Sequence, residues 1–310
     1  MLPVAELPAQ LLAWARAKTG TARVVRWTAE PIAGGTVSDR VERITLYLED
    51  DDGAVRNVRV VGKHALPHEI AGLRLAQAVR PAAAAIPELI AWGSDPVGPW
   101  LVSEHRAGQS LRDRPSPVPA ALFDSLARLH ARYHAAVSEL ADIPRVDAGW
   151  WRHLCLSWVL PQVADARGEP HPAATRERAV QLVTAAADEV RVGSVLARLT
   201  PTLLHGDVHP SNVLVNGGDV SLIDWGSSRV GPAMLDLANL VGTGSGSLAT
   251  YRCSWQRLTG QPIDAEQVEL GYRWADLQIP TQYLPWMMRH RPTAEVTGVL
   301  DRIERATAAL

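Results

Sequence analysis

A chain of 310 residues, 47% of them hydrophobic, is long for one core and has the material for two. Its formal net charge of -2 and pI of about 6.6 give no electrostatic reason to expect nucleic acid or an anionic membrane surface as a partner. Two cysteines, Cys155 and Cys253, exclude a disulfide framework and suit a reducing cytoplasm.

The start, MLPVAELPAQLLAWARAKTG, carries Glu6 and no basic n-region, so no signal peptide is expected. No run reaches the roughly 18 apolar residues of a membrane span, so a cytoplasmic protein with no membrane partner is expected. Residues 7–18 read as an amphipathic helix. Residues 23–30, 41–49 and 55–64, rich in Val, Ile and Thr, read as strands, with a hairpin turn at EDDDGA between the last two. A helix over 67–79 starts at Pro67, and IPELIAW and PWLVSEH read as two further strands. Beyond residue 105 the pattern turns helical, over 117–140, 173–198 and 264–308. Its clear strands are VLV and VSLI, joined by an NGGD turn. GTGSGS at 242–247 reads as a flexible loop, because it lacks the Lys-Ser/Thr of a phosphate loop and no strand leads into it. The pattern is α+β and two-lobed, divided at 1–104 and 105–310: a small antiparallel sheet with one helix, then a larger, mostly helical lobe.

Only two of the 31 basic residues are lysines, Lys18 and Lys63. In a chain that uses arginine by default, a lysine is a candidate for work that a planar guanidinium does poorly. Lys18 closes the first helix, where a cation suits the dipole. Lys63 ends the strand VRVVGKH, with Val61 two residues earlier on the same face.

The stretch LLHGDVHPSNVLVNGGDVSLIDWG ends two apolar runs in an aspartate, Asp207 and Asp224, seventeen positions apart, with Asn212 five after the first. D-x-x-x-x-N is the spacing of the protein-kinase catalytic loop, and IDWG stands where the metal-binding Asp-x-Gly would. Phosphoryl transfer asks for such a set. Mg²⁺ takes hard oxygen ligands such as a carboxylate and an amide carbonyl, and a separate carboxylate must face the attacking hydroxyl. On this reading Asn212 and Asp224 ligate metal and Asp207 is the base. In a kinase-like lobe Lys63 grips the nucleotide phosphates, Val61 packs on the base, and a carboxylate of the next helix steadies the lysine. Glu69 is the only acidic residue between Lys63 and Glu88.

LLHGDVHPSNVLVN, SLIDWGSSRVGPAMLDLANL and GPWLVSEHRAGQSL together resemble the aminoglycoside phosphotransferase family, over roughly residues 30–240. The resemblance implies a protein-kinase-like fold, ATP (or GTP) and Mg²⁺ as cofactors, and transfer of the γ-phosphate to a small-molecule hydroxyl. It also implies that Asp236 braces the catalytic loop and that the backbone of Glu104 and Arg106 reads the base. IAGGTVSDR at 32–40 departs from G-x-G-x-x-G, with Ser38 there to add a hydroxyl to the phosphate cover. Asp224 to Asp236 is twelve residues, too short for a protein-kinase activation segment, so the acceptor is a small molecule. It should meet residues 148–165 and 265–290. From 241 to 310 seven acids balance seven arginines, with no carboxylate surplus for a polycationic aminoglycoside. Trp150, Trp151, Trp158, Trp225, Trp274 and Trp286 could stack a sugar, an apolar antibiotic or a quaternary ammonium, though core packing must hold for most of them.

A kinase of a small metabolite and a nucleotide-binding pseudokinase stay open as alternatives. So does a hydrolase that clusters Asp207, His209 and Asp224 on a metal. His130 and His134 have the i, i+4 spacing of a zinc pair but no evident third ligand.

Overall fold

A computed structural model describes residues 7–20, 23–32, 41–79, 86–113, 117–134, 136–165, 171–241 and 245–310. The architecture is α+β and divides into two compact units, 1–125 with 209–228, and 126–208 with 229–310.

In the first unit, α1 (Ala9–Thr19) precedes β1 (Arg23–Pro31), β2 (Val41–Glu49) and β3 (Val55–His64). Then come α2 (Pro67–Gln77), β4 (Leu89–Ser94) and β5 (Pro99–Glu104). The five strands form one antiparallel sheet in the order β1-β2-β3-β5-β4. The period-2 alternation of β2 sets its two faces. Ile44, Leu46 and Leu48 are fully buried with Val60, Val102 and the α1 residues Leu11 and Ala15. Each such valine, leucine or isoleucine contributes about 1.5–3 kcal/mol of burial. Val61 and Lys63 point to the other face, opposite Arg43 and Val41 in register. The β2–β3 hairpin turns at Gly53, φ 80°, where the Asp50 carboxylate accepts the Ala54 N–H at 2.8 Å. A short sheet of β6 (Gln109–Ser110), β8 (Val213–Asn216) and β9 (Asp219–Leu222) belongs to the same unit.

The unit boundary falls within α3 (Ala120–His134). A 3₁₀ turn (Val137–Leu140) and α4 (Ala148–His153) follow. A π turn (Leu154–Val159), in which the Leu160 N–H reaches back to Cys155 O, leads into α5 (Leu160–Ala164). Next are α6 (Ala173–Ala187), α7 (Arg191–Arg198) and β7 (Pro201–Leu204). β10 (Arg229–Pro232) pairs antiparallel with β7 and is followed by α8 (Met234–Ala238). The chain ends in α9 (Gly246–Thr259), α10 (Ala265–His290) and α11 (Thr293–Ala309).

The core of this unit gathers Trp151, Val159, Val183, Val195, Trp274, Leu284 and Leu300. Trp151 donates to Ala186 O at 2.7 Å and meets Trp274 edge-on at 5.1 Å. Burial along α10 carries Pro280 and Pro285 inside the helix, where each removes a backbone hydrogen bond.

The pattern reading missed α4, α5, α8 and α9 and the strands β6, β7 and β10. GTGSGS is not wholly a loop. Residues 242–244 lie outside the described residues, but Ser245 caps α9, its side chain accepting the Leu248 N–H at 3.2 Å.

Candidate active site

In the first unit β3 delivers Lys63, and only two residues, Ala65 and Leu66, separate the strand from α2. Glu69 therefore falls in the first helical turn, within reach of the strand end. Lys63 Nζ lies 2.5 Å from Glu69 Oε1 and 2.9 Å from Asp224 Oδ1. The Lys63 and Glu69 side chains are 12% and 6% exposed, so this is a buried pair, whereas Asp224 is 53% exposed. Burial alone would pull the Lys63 ammonium down, but the two carboxylates outweigh it and its pKa lies above the ordinary lysine value. Burial pushes the Glu69 carboxyl above the ordinary glutamate value, against the pull of Lys63.

Asp224 follows β9 with φ 63°, the one non-glycine residue at positive φ among the described residues. The Asn212 carbonyl accepts the Ile223 N–H at 2.9 Å, so the backbone of buried Asn212 is tied to the residue before Asp224. Gly226 lies beside this cluster, and a side chain there would meet it only at ordinary contact distance. A Cβ there would stand 3.4 Å from Asp224 Oδ1 and 3.6 Å from Glu69 Oε2, and the Gly226 carbonyl lies 3.0 Å from His68 Nε2. Val61 lies between Arg43 and Ser103 in the sheet, on the Lys63 face. The Glu104 N–H donates to Glu88 O at 2.8 Å, and its side chain pairs with Arg106 at 2.8 Å. Lys18 sits at the end of α1, 3.5 Å from Glu88 and exposed. Ser38 lies outside the described residues.

In the second unit β7 leads into His205, Gly206 and Asp207. The fully buried Asp236, at the start of α8, accepts the N–H of His205 and of Gly206, both at 2.8 Å. Its other neighbour is buried His130, 3.2 Å away, whose second ring nitrogen lies 3.0 Å from the Tyr251 hydroxyl. Burial would raise the Asp236 pKa, but the His130 hydrogen bond, the His130 and His205 charges and the Gly206 N–H hold it below the ordinary aspartate value. The Asp207 N–H donates to His205 Nδ1 at 3.3 Å. The loop is thus braced by Asp236, as the resemblance implies. His130 serves that brace rather than a zinc pair: His134 packs edge-on against Trp255 at 5.1 Å, and no cluster of three His, Cys, Asp or Glu occurs among the described residues.

Two buried neighbours of this loop escape the sequence reading. Tyr251 anchors His130 from a helix that composition did not announce. Arg229 is buried, donates to the Gly206 carbonyl and to Gln282 Oε1, and stacks over Trp150. Among the tryptophans, Trp151, Trp225 and Trp274 are core residues, while Trp158 is 46% exposed.

The model of the phosphotransferase enzyme family matches residues 28–279. No curated protein sequence matches the chain. Among solved structures, the GDP complex of a variant aminoglycoside 2'-phosphotransferase IIIa is similar at 17% identity and TM-score 0.51, covering 95% of each chain. A spectinomycin phosphotransferase with ADP and spectinomycin is similar at 12% identity and TM-score 0.51, covering 97% of this chain and 94% of that one. Ethanolamine kinase of Plasmodium vivax is similar at 14% identity and TM-score 0.52, covering 91% of this chain and 81% of that one. At these identities the likeness shows the shared fold. No described helix is long and apolar enough to cross a membrane. The family match over most of the chain makes it a member of the phosphotransferase enzyme family, and so an enzyme of ATP-dependent phosphoryl transfer to a hydroxyl of a small molecule.

Proposed function

We propose that Asp207 is the general base, that Lys63 and Glu69 form the phosphate-binding pair, and that Asn212 and Asp224 hold Mg²⁺. The observation that carries this reading is the buried Lys63–Glu69 pair with Asp224 at 2.9 Å. A chain does not bury an ammonium against a carboxylate for stability alone, since desolvation offsets most of the attraction. A compact cation beside a carboxylate is what polyphosphate and its ion require. The donor set fits the ion: a carboxylate and an amide oxygen are both hard ligands. Bound there, Mg²⁺ would neutralise the phosphate oxygens as charge develops on them.

Residues 1–104 supply the nucleotide-binding side chains. Val61 packs against the base, the backbone of Glu104 and Arg106 reads its edge, and Ser38 covers the phosphates. Residues 105–310 supply the catalytic loop and the acceptor site. In the transfer, Asp207 takes the proton of the acceptor hydroxyl while that oxygen bonds the γ-phosphorus. The bond from γ-phosphorus to the bridging oxygen breaks, and its electron pair leaves with ADP. ATP is the primary donor and GTP the alternative.

The acceptor is an aminoglycoside or another antibiotic, or else a small metabolite such as an amino alcohol, a sugar or a choline-like compound. Balanced charge over 241–310 and the exposed Trp158 favour an acceptor with an apolar face over a polycation. Intact Asp207, Asn212, Asp224 and Lys63 speak against a pseudokinase. The test is a screen of hydroxyl-bearing antibiotics and metabolites with ATP or GTP and Mg²⁺, read as nucleoside diphosphate release. Release with an acceptor and none with Asp207→Asn supports the reading. Hydrolysis of substrates without nucleotide would favour the metal-hydrolase alternative.

A further inference from the structure

We infer that Arg229 is the positioning residue of the base, gripping the Asp207 loop from its carbonyl side and tying it to α10 and α4. This deepens the assignment of Asp207 as base and rests on it. Gly206, directly before Asp207, has φ 82°, a conformation that only glycine takes freely. Both of its backbone polar groups are held by buried charges of opposite sign. Its N–H donates to Asp236 Oδ1 at 2.8 Å, and its carbonyl accepts from Arg229 Nη2. Such charge-assisted bonds are stronger than neutral ones and shorten the list of conformations open to the next residue.

The rest of the Arg229 environment is unusual for a structural arginine. The side chain is 6% exposed, yet among the described residues no carboxylate lies within ion-pair distance and Nε has no hydrogen-bond partner. Nη1 donates to Gln282 Oε1 at 3.1 Å, and the guanidinium lies 5.3 Å from the Trp150 ring centre. Gln282 is joined to Gln278 at 3.4 Å, and Gln278 to the buried Trp274 indole at 2.8 Å. A chain of hydrogen bonds therefore runs from the interior of α10 to the Gly206 peptide. Burial lowers the Arg229 pKa, with the Asp207 and Asp236 charges working against it, and arginine stays charged in any protein setting. Asp236 is already engaged by two N–H groups and His130. Asp207 is the other carboxylate that feels this cation. A buried guanidinium with no direct counter-ion is expensive to keep. Held against the base loop, it fixes the Asp207 backbone by contact and biases its carboxylate by charge. The Gln282 and Trp150 contacts make that hold sensitive to whatever occupies the α4 and α10 side.

The test compares wild type, Arg229→Met, Arg229→Lys, Asp207→Asn and Arg229→Met/Asp207→Asn. The probe is Mg·ATP with water as acceptor, followed as ADP release under single turnover, with Mg·ATP affinity measured by titration calorimetry. The expected result is at least a tenfold loss of rate in both Arg229 variants, with affinity within twofold of wild type. In the Asp207→Asn background Arg229→Met should cost no more than a further twofold. In a further variant, Arg229→Ala, guanidinium ion at sub-denaturing concentration should restore at least fivefold of the rate, and it should restore nothing to Asp207→Asn. Should Arg229→Met not fold, Arg229→Lys and the guanidinium rescue decide. Wild-type rates in Arg229→Lys, an equal loss in both backgrounds, or no rescue would overturn the inference. Full activity in Asp207→Asn would instead remove the base assignment itself.

Discussion

Replacing Lys63 by methionine removes the cation from a pocket where Glu69 is 5% exposed. Breaking a buried pair by deleting one partner costs about 3–5 kcal/mol, because the other charge stays behind unpaired. Glu69 has an escape, since it can take up a proton. About 2.7 pH units separate a reference glutamate from pH 7, which caps the penalty near 3.7 kcal/mol, and burial already pushes this carboxyl in that direction. Lys63→Met should therefore lose about 2–3.5 kcal/mol in urea unfolding at pH 7, and less at pH 5, where protonation is easier. Lys63→Met/Glu69→Leu should regain most of it, as apolar replacement of a buried pair is often neutral. Lys63→Arg keeps the charge but not the compact shape between two carboxylates, and should lose at least tenfold in kcat/KM for ATP. Lys18→Arg, on an exposed pair 3.5 Å from Glu88, is the silent control. A loss below 1 kcal/mol in Lys63→Met, or equal kcat/KM for ATP in the two arginine variants, would refute the reasoning.

Asp207→Asn should lower kcat by about 10²–10⁴-fold with Mg·ATP affinity nearly unchanged, and more than a tenth of wild-type kcat would sink the assignment. Chelation by EDTA should stop ADP release and added Mg²⁺ restore it; turnover that persists in EDTA would mean that the Asn212 and Asp224 oxygens hold no working ion. Tyr251 is buried, and burial, helped by Asp236, pushes its hydroxyl well above pKa 10. The unfolded state then loses that proton first, so the Tyr251 contribution to stability should be flat below about pH 10 and fall above it by up to about 1.4 kcal/mol per pH unit, beside the same-signed contributions of Tyr133, Tyr272 and Lys63. Tyr251→Phe should flatten the fall in melts between pH 9 and 11, and an unchanged slope would show that Tyr251 does not cause it.

The first sheet was readable because its strands alternate over a single buried face. Ile44, Leu46 and Leu48 point inward while Arg43, Thr45 and Tyr47 do not, and that period is written directly into the residues. Glu69 could be singled out because the stretch after Lys63 offers one acidic residue before Glu88. A spacing of six looks short only until α2 is seen to begin three residues after the strand ends. The helices of 148–164 carry no clean amphipathic period. Their turn passes through a π segment ahead of Pro161, and both faces contain tryptophan or leucine. β7 and β10 are four residues each, like β8 and β9, but no short NGGD turn joins them: they pair across more than twenty residues, so no local hairpin signal marks them. Arg229 was invisible for another reason. In a chain where arginine is the default cation, no local signal separates a buried guanidinium from a solvated one. Its partners Gly206 and Gln282 lie 23 and 53 residues away.

Asp224 joins strain, charge and chemistry at one position, and these can be pulled apart. At φ 63° a side-chain-bearing residue sits about 1–2 kcal/mol above its preferred backbone region, aspartate somewhat less than alanine. Its contact with Lys63 is formed by a carboxylate 53% exposed, so after screening it contributes at most about 1 kcal/mol. Asp224→Gly removes the ion pair and the strain together, and the two changes should nearly cancel. Asp224→Ala removes the ion pair and keeps the strain. The glycine variant should therefore be more stable than the alanine variant by about 1 kcal/mol, read from urea midpoints at equal slope. Both should fail to bind ATP in a Mg²⁺-dependent manner, because neither leaves a carboxylate after β9. Strain kept at a position where glycine would relieve it then has its reason in the metal-binding oxygen that glycine lacks. Equal stability of the two variants would show that the backbone here is relaxed, and Mg²⁺-dependent ATP binding in Asp224→Gly would show that the carboxylate serves the fold rather than the ion.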